Sequence, residues 1–235
     1  GHWKDTAVMI KGDSVKSFTM MFLQMWDVTE QREEEYEKYL PPSDLPFLPG
    51  QSPQGYIIPY GDSPFDKEQV GEQVYRDMLT QATRYVHIMT PYLILDDGMK
   101  DALQYAAKRG VDVKIIMPHI PDKKYAYLLA RTYYPELLKA GVQIFEYEPG
   151  FVHAKVFVSD DEKAAVGTIN LDFRSLYLHF ECGVFLYQNQ VIEAICKDYD
   201  ATLKKCIPVT LETCRRYHWV GRKVGRLLRL IAPLM

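Results

Sequence analysis

Long apolar runs are missing from this sequence. Nowhere in its 235 residues do apolar side chains continue for the roughly 18 positions that a membrane-crossing helix needs. No charged, apolar and small-residue succession marks a signal peptide. Cysteine is scarce: Cys182, Cys196, Cys206 and Cys214 form no C-x-x-C pair and have no histidine at zinc spacing. That excludes a disulfide framework or a zinc knuckle and reads as reduced thiols of a cytosol-facing protein. Excess positive charge is absent too, since 28 Lys and Arg face 31 Asp and Glu. No global nucleic-acid signature follows from that balance. The chain opens at Gly1 without an initiator methionine, which we read as a fragment or a processed product. What it does have is apolar content, 47% of residues, enough for one large or two small domains.

The chemistry gathers between His153 and Ser175. The skeleton is His153-x-Lys155, then Asp160, then Gly167-Thr168-x-Asn170. Residues two apart in a strand share a face, so His153 and Lys155 are expected to present together, with Ala154 behind them. Val156 to Val158 reads as buried strand, Ser159 to Glu162 as a polar turn, and Lys163 to Val166 as the returning strand. Gly167 lets backbone pass close by, and Thr168 and Asn170 add neutral donors there. These residue types suit a phosphodiester. Lys155 brings a cation and Asn170 an amide, the fixed electrostatics a phosphoryl transition state needs. His153 carries an imidazole, which can attack phosphorus or move a proton. In-line displacement needs a nucleophile on one side and an acid on the other. One imidazole cannot do both, so a second set is expected to face this one.

The stretch resembles the HKD motif of the phospholipase D superfamily at every motif position. The wider text is similar to the C-terminal half of bacterial cardiolipin synthases, in Gly1 to Thr6, Thr90-Pro91-Tyr92, Arg109 to Val113, Glu146 to Phe151 and Asn170 to Ser175. The resemblance implies a catalytic set of His153, Lys155, Asp160, Asn170 and Glu181. Within it Asp160 is structural, capping its own turn, and Glu181 orients His153. Thr168 and Asp5 are placed at the substrate, and Asp5 is expected to serve the histidine of an absent first copy. The implied reaction takes phosphatidyl from one phosphatidylglycerol to a second, giving cardiolipin and glycerol through a phosphohistidine. The family pattern makes the first-copy histidine the nucleophile and His153 the general acid and base. It implies no cofactor, no metal and no nucleic acid, and a bacterial cell membrane location facing the cytoplasm. Two other readings stay open: a hydrolase of the same superfamily, acting on phospholipid or nucleic acid, and a non-catalytic membrane-binding module.

Along the chain we expect four parts. Residues 1–27 hold a strand over Asp5 to Lys11 and a helix over Val15 to Trp26, read as the end of a first lobe. Residues 28–54 are an acidic, proline-rich linker. Residues 55–209 alternate strand and helix, which predicts an α/β sandwich, a mixed sheet flanked by helices, with 163–187 pairing antiparallel. Gly71 and Pro135 are expected to kink their helices. His87 reads as a satisfied core histidine. Residues 210–235 are a basic amphipathic tail. Val220, Val224, Leu227, Leu228 and Ile231 fall on one face and Arg222, Lys223, Arg226 and Arg229 opposite, suited either to an anionic membrane surface or to docking on the protein.

A weak internal repeat explains the first part. Asp5 to Ile10 matches the pattern of Glu181 to Leu186 at an offset of 176 residues. The partner His-x-Lys then belongs before Gly1, on a missing N-terminal lobe of the same polypeptide, and the chain alone is expected to fold but not to turn over.

Overall fold

The structure is a computed structural model that describes residues 2–30, 35–42, 54–217 and 219–234. The chain begins with β1 (Trp3–Lys4) and α1 (Ser14–Glu30), and then reaches β2 (Tyr56–Asp62). There follow α2 (Val70–Gln81), β3 (Tyr85–Met89), β4 (Leu93–Ile94), α3 (Asp97–Lys108), β5 (Asp112–Pro118) and α4 (Lys124–Ala140). Next come β6 (Gln143–Tyr147), β7 (Phe151–Val152), β8 (Val156–Ser159), β9 (Lys163–Gly167), β10 (Leu171–Asp172) and β11 (Glu181–Tyr187). The chain closes with α5 (Val191–Leu203), β12 (Cys206–Val209), α6 (Leu211–Arg216) and α7 (Trp219–Leu228).

Eight strands form one sheet in the order β12-β6-β5-β3-β8-β9-β11-β2. β3, β5 and β6 run parallel, as helical crossovers α3 and α4 require. The other neighbours are antiparallel, including β9 with β11 as expected. Strand alternation divides the core in two. Ile88, Ile115, Phe157 and Ala165 meet α2, α3 and α4 on one face. Met89, Val156, Val158, Val166 and Val184 meet Ile192, Ile195 and Tyr199 of α5 on the other. Tyr75 of α2 stacks on Phe157, ring centroids 3.9 Å apart, and its hydroxyl donates to Ile169 O at 2.8 Å.

Several local expectations change. Only Trp3 and Lys4 pair as a strand, parallel to Phe151 and Val152; residues 5–11 are extended without a ladder. Their alternation survives, since Val8 and Ile10 pack on the α5 side while Met9 points to solvent. α2 starts at Val70, so Gly71 is not a kink. Its N–H is bound by both oxygens of Asp62, at 3.0 and 3.1 Å, an acceptor at the positive end of the helix. α4 runs through Pro135 as one helix. β12 was not anticipated; Pro208 is tolerated because this strand lies at the sheet edge. His87 fits the core reading, stacked on Tyr199 at 4.8 Å with Nε2 3.2 Å from Asp112. Glu33, Glu34, Pro46, Pro49 and Pro53 of the expected linker lie outside the described residues.

The tail docks. Gly225 lies so close to α4 that a Cβ there would come within 2.7 Å of Leu128 O and of Thr132 Cγ2. Arg229 spends its guanidinium on Thr132 and Glu136, so it is not on a free basic face. Leu228 and Ala232 join the core, while Val224, Leu227 and Ile231 stay exposed. The apolar face expected from the 3.6-residue period is thus divided between protein and solvent. Nothing here describes the side chains of Trp219, Val220, Arg222 or Arg226.

Candidate active site

His153 sits where three parts of the chain meet at one end of the sheet. β7 ends at Val152 and β8 begins at Val156, so residues 153–155 bridge two strands. Period-two alternation continues across the bridge. Val152, Ala154, Val156 and Val158 all pack in the α5-side cluster, so His153 and Lys155 share the opposite face. β1 clamps the bridge: the backbone N–H groups of His153 and Ala154 both donate to Lys4 O, at 2.8 and 3.2 Å.

The clamp also delivers Asp5. Its Oδ2 lies 2.9 Å from His153 Nδ1. The pairing expected from the sequence, Glu181 with His153 and Asp5 with another histidine, is therefore corrected. β1 runs beside β7, which puts Asp5, one residue past β1, at the imidazole. Burial raises the Asp5 pKa, but the hydrogen bonds from His153 and the Thr6 N–H outweigh it, and the net shift is downward. A carboxylate at Nδ1 fixes the tautomer, leaving Nε2 to face a substrate. The imidazole lies between aromatic rings, with Trp3 5.1 Å away and Phe151 6.1 Å away between centroids.

Lys155 is buried, and its Nζ donates to His153 O. Burial pushes its pKa down to about 8, opposed by the fields of Asp5, Glu181 and Asp172. Its hydrogen bond is to that carbonyl, and the three carboxylates act on it through their fields. Glu181 is not at His153. Its Oε2 accepts from Thr168 Oγ1, and His179 Nδ1 stands 3.9 Å from its other oxygen. Burial raises the Glu181 pKa against the pull of Thr168, Ser175 and His179. Thr168 is thereby committed to Glu181 and to the Cys182 backbone. Gly167 is needed where β11 passes, because a Cβ would lie 2.4 Å from Cys182 O.

Asn170 donates one of its amide N–H groups to Ser175 Oγ at 2.9 Å, and its buried Oδ1 has no hydrogen-bond partner among the described residues. Ser175 N–H in turn donates to Asp172 at 2.8 Å, at the start of the turn over Arg174–Leu178. Sequence reasoning gave Ser175, Asp172, His179, Trp3 and Phe151 no role. The run from Asn170 to Ser175 was the available signal.

Asp160 belongs elsewhere. It lies at the far end of β8, in a hairpin turn where it and Asp161 both have positive φ, 56° and 61°, tolerated by Asp. Its carboxylate does not cap its own turn. It accepts from the backbone N–H groups of Thr83, Arg84 and Tyr85, at 2.7, 2.9 and 2.8 Å, and so anchors the start of β3. Asp160 is thus structural, as the resemblance implies, but the segment it holds is the start of β3 and not its own turn. His119, near the same end of the sheet as His153, bonds through Nδ1 to buried Glu146 at 2.9 Å. Among the described residues, no three His, Cys, Asp or Glu side chains gather as a metal site.

Comparison with known proteins agrees with this fold. The family model described as cardiolipin synthase, PLD-like domain, matches residues 75–205. The chain is 54% identical over its whole length to an uncharacterized protein of Streptococcus mutans, covering 50% of that protein. It is 37% identical over its whole length to a cardiolipin synthase of Geobacillus sp. strain WCH70, covering 46% of it. Among solved structures, phosphatidylserine synthase of Haemophilus influenzae aligns with a TM-score of 0.62 over 76% of this chain and 48% of that one, at 17% identity. Nuc of Salmonella typhimurium, a phospholipase D family member, aligns with a TM-score of 0.56 over 66% of this chain and 97% of that one, also at 17% identity. The fold is that of the phospholipase D-like proteins. Within them, the chain belongs to the cardiolipin synthase, PLD-like domain family. It spans about half the length of the curated relatives it matches.

Proposed function

We propose that this chain carries one half of a phosphatidyltransferase site that joins two phosphatidylglycerol molecules into cardiolipin and glycerol. The observation that supports it most is the Asp5–His153 pair, 2.9 Å apart, beside a buried Lys155 that has no carboxylate bonded to it among the described residues. The pair readies one imidazole for proton transfer, and the lysine awaits a phosphate oxygen.

The reaction needs a second histidine across the phosphate, supplied by another lobe of the same polypeptide. Glu181 suits it. This carboxylate stands at the site and is not used by His153, and in the internal repeat it is the counterpart of Asp5. Each lobe then lends its carboxylate to the other lobe's histidine. One histidine attacks phosphorus through Nε2, and the phosphorus–oxygen bond to glycerol breaks. His153 gives that oxygen a proton. The glycerol hydroxyl of a second phosphatidylglycerol returns a proton to His153 and takes the phosphatidyl group, releasing the first histidine.

The membership of the chain in its family supports this substrate, and the cell membrane is the place it implies. In the complete enzyme, His153→Ala is expected to cut turnover by about 100-fold or more. Thin-layer analysis of phosphatidylglycerol vesicles reads the outcome. Near-normal cardiolipin formation would remove His153 from the mechanism. Phosphatidic acid as the dominant product would favour the hydrolase reading.

A further inference from the structure

The loop that leaves β5 has no part in the chemistry above, yet it is built unlike an ordinary surface loop. β5 lies beside β3, and β3 lies beside β8, with Met89 opposite both Ile116 and Val156. Residues 119–125, the loop after β5 with the first two residues of α4, therefore emerge at the same end of the sheet as His153. They hold Ile120 and Tyr125, which are 56% and 45% exposed, with Lys123 and Lys124 exposed between them. The one carboxylate of the loop, Asp122, is taken up by the Tyr92 hydroxyl and the Lys123 backbone N–H.

This loop is continuous with the site. Lys123 Nζ lies over the Tyr92 ring, 5.4 Å from its centroid. Tyr92 stands 6.4 Å from Phe151, and Phe151 stands 5.0 Å from Trp3, itself 56% exposed. A small hollow is lined by Tyr92, Pro118, Lys123, Ala126 and Phe151 and so joins residues of this segment to one ring beside His153. Exposed apolar side chains flanking two lysines, beside aromatic rings that lead to a histidine, complement a leaflet with apolar chains and anionic headgroups. A soluble partner would satisfy the apolar residues but has no evident need for a path to His153.

We propose that residues 119–125, with Trp3, form a docking surface for an anionic phospholipid bilayer, seating the leaflet beside His153. The inference rests on the phospholipid reading and says which part of the protein meets the lipid. The lysines hold the headgroup plane, Ile120 and Tyr125 enter its apolar margin, and one headgroup reaches Lys155 along Phe151.

The test is flotation of the full chain with vesicles of phosphatidylglycerol and phosphatidylcholine at low salt. Wild type is expected to float, and phosphatidylserine is expected to replace phosphatidylglycerol. Lys123→Gln with Lys124→Gln is expected to weaken partitioning about 25-fold, at about 5-fold per lysine. Ile120→Ser with Tyr125→Ser is expected to weaken it about 10-fold or more. All four side chains are exposed, and unchanged melting temperatures check that the variants fold. Leu227→Ser with Leu230→Ser on the tail is expected to leave flotation within about twofold of wild type. His153→Ala is expected to float normally, so docking is read separately from catalysis. Wild type that does not float, loop variants that float like wild type, or a loss confined to the tail variant would each overturn the proposal.

Discussion

Asp5 and His153 are 148 residues apart in sequence and 2.9 Å apart at Oδ2 and Nδ1. The carboxylate arrives on the backbone that clamps the histidine, through the Lys4 carbonyl that accepts from both His153 and Ala154. Orientation of the imidazole and closure of the strand are one event.

The two candidate carboxylates are therefore separable by experiment. Asp5→Ala is expected to remove the hydrogen-bonded Nδ1 proton resonance of His153 in a proton NMR spectrum. Glu181→Ala is expected to leave that resonance in place in this chain. In the complete enzyme both substitutions are expected to slow turnover, by about 10-fold to 100-fold each. Loss of the resonance in the Glu181 variant instead would restore the pairing first expected from the sequence.

Lys155 carries a pH signature. Its folded-state pKa, pushed down by burial to about 8, lies below its ordinary 10.5. Between those values the unfolded chain binds more protons than the folded one, so unfolding free energy rises with pH across that window. Below about pH 8 the buried charge is a standing cost, on the order of 3 kcal/mol at most. Lys155→Met is expected to be more stable than wild type at pH 7 by roughly 1–3 kcal/mol and to be inactive in the complete enzyme. Denaturant midpoints from pH 7 to 10.5 should converge for the two proteins. Phosphate binding by wild type is expected to weaken above about pH 8, as the lysine loses its charge. A pH-independent difference in stability would mean that Lys155 is not buried as a cation.

Asp160 is expected to matter for folding alone. Asp160→Ala removes acceptors for three backbone N–H groups at the start of β3 and should cost roughly 2–4 kcal/mol. Asp160→Asn, which keeps one acceptor oxygen, should cost less. Hydrogen bonding holds the Asp160 pKa below the ordinary carboxylate value against the opposing effect of burial. The stability it adds is present above the ordinary value and fades as pH falls through the lowered one. Turnover per folded molecule in the complete enzyme, measured beside melting temperature, should be unchanged; a selective loss of turnover would return Asp160 to the catalytic set.

The tail offers a packing test. Gly225→Leu places side-chain atoms where Leu128 O and Thr132 already stand. It is expected to lift α7 from α4 and expose the segment after Tyr217 to protease, at a cost of about 1–3 kcal/mol. Protease resistance equal to that of wild type would contradict this packing.

The proton count gives the last expectation. The 235-residue chain alone is expected to bind phosphatidylglycerol vesicles without making cardiolipin, because a second motif histidine is needed across the phosphate. Assay of the purified chain, with its mass in solution, checks this. Robust synthesis, above all by a dimer pairing two His153 residues, would show that the partner need not be a separate lobe.

Much of this was legible in the sequence because it is local. Val111 to Met117 is rich in β-branched residues, and its strand falls within one residue of expectation. The His153–Lys155 face follows from period two. The carboxylate assignment failed because it is tertiary. The family resemblance assigned Glu181, 28 residues on, to His153, while the pairing of β1 with β7 delivers Asp5. The partners of Asp160 were missed for the same reason: a polar residue in a turn suggests a local cap, and its donors lie at the start of another strand. The tail is helical over Trp219–Leu228, but which side of it meets α4 depends on Gly225, whose missing side chain carries no hydropathy signal.

The clamp by β1 changes what counts as a module. Composition divides this chain near residue 28, yet that cut would separate His153 from the carboxylate that sets its tautomer. A recombination event that swapped lobes between related proteins at that boundary would pass on a folded sheet and a disarmed histidine. If the exchange of carboxylates is mutual, both halves of such a chimera depend on the fit of the newcomer's strand. Inheritance would then act on the pair, and the two lobes would be held to drift together.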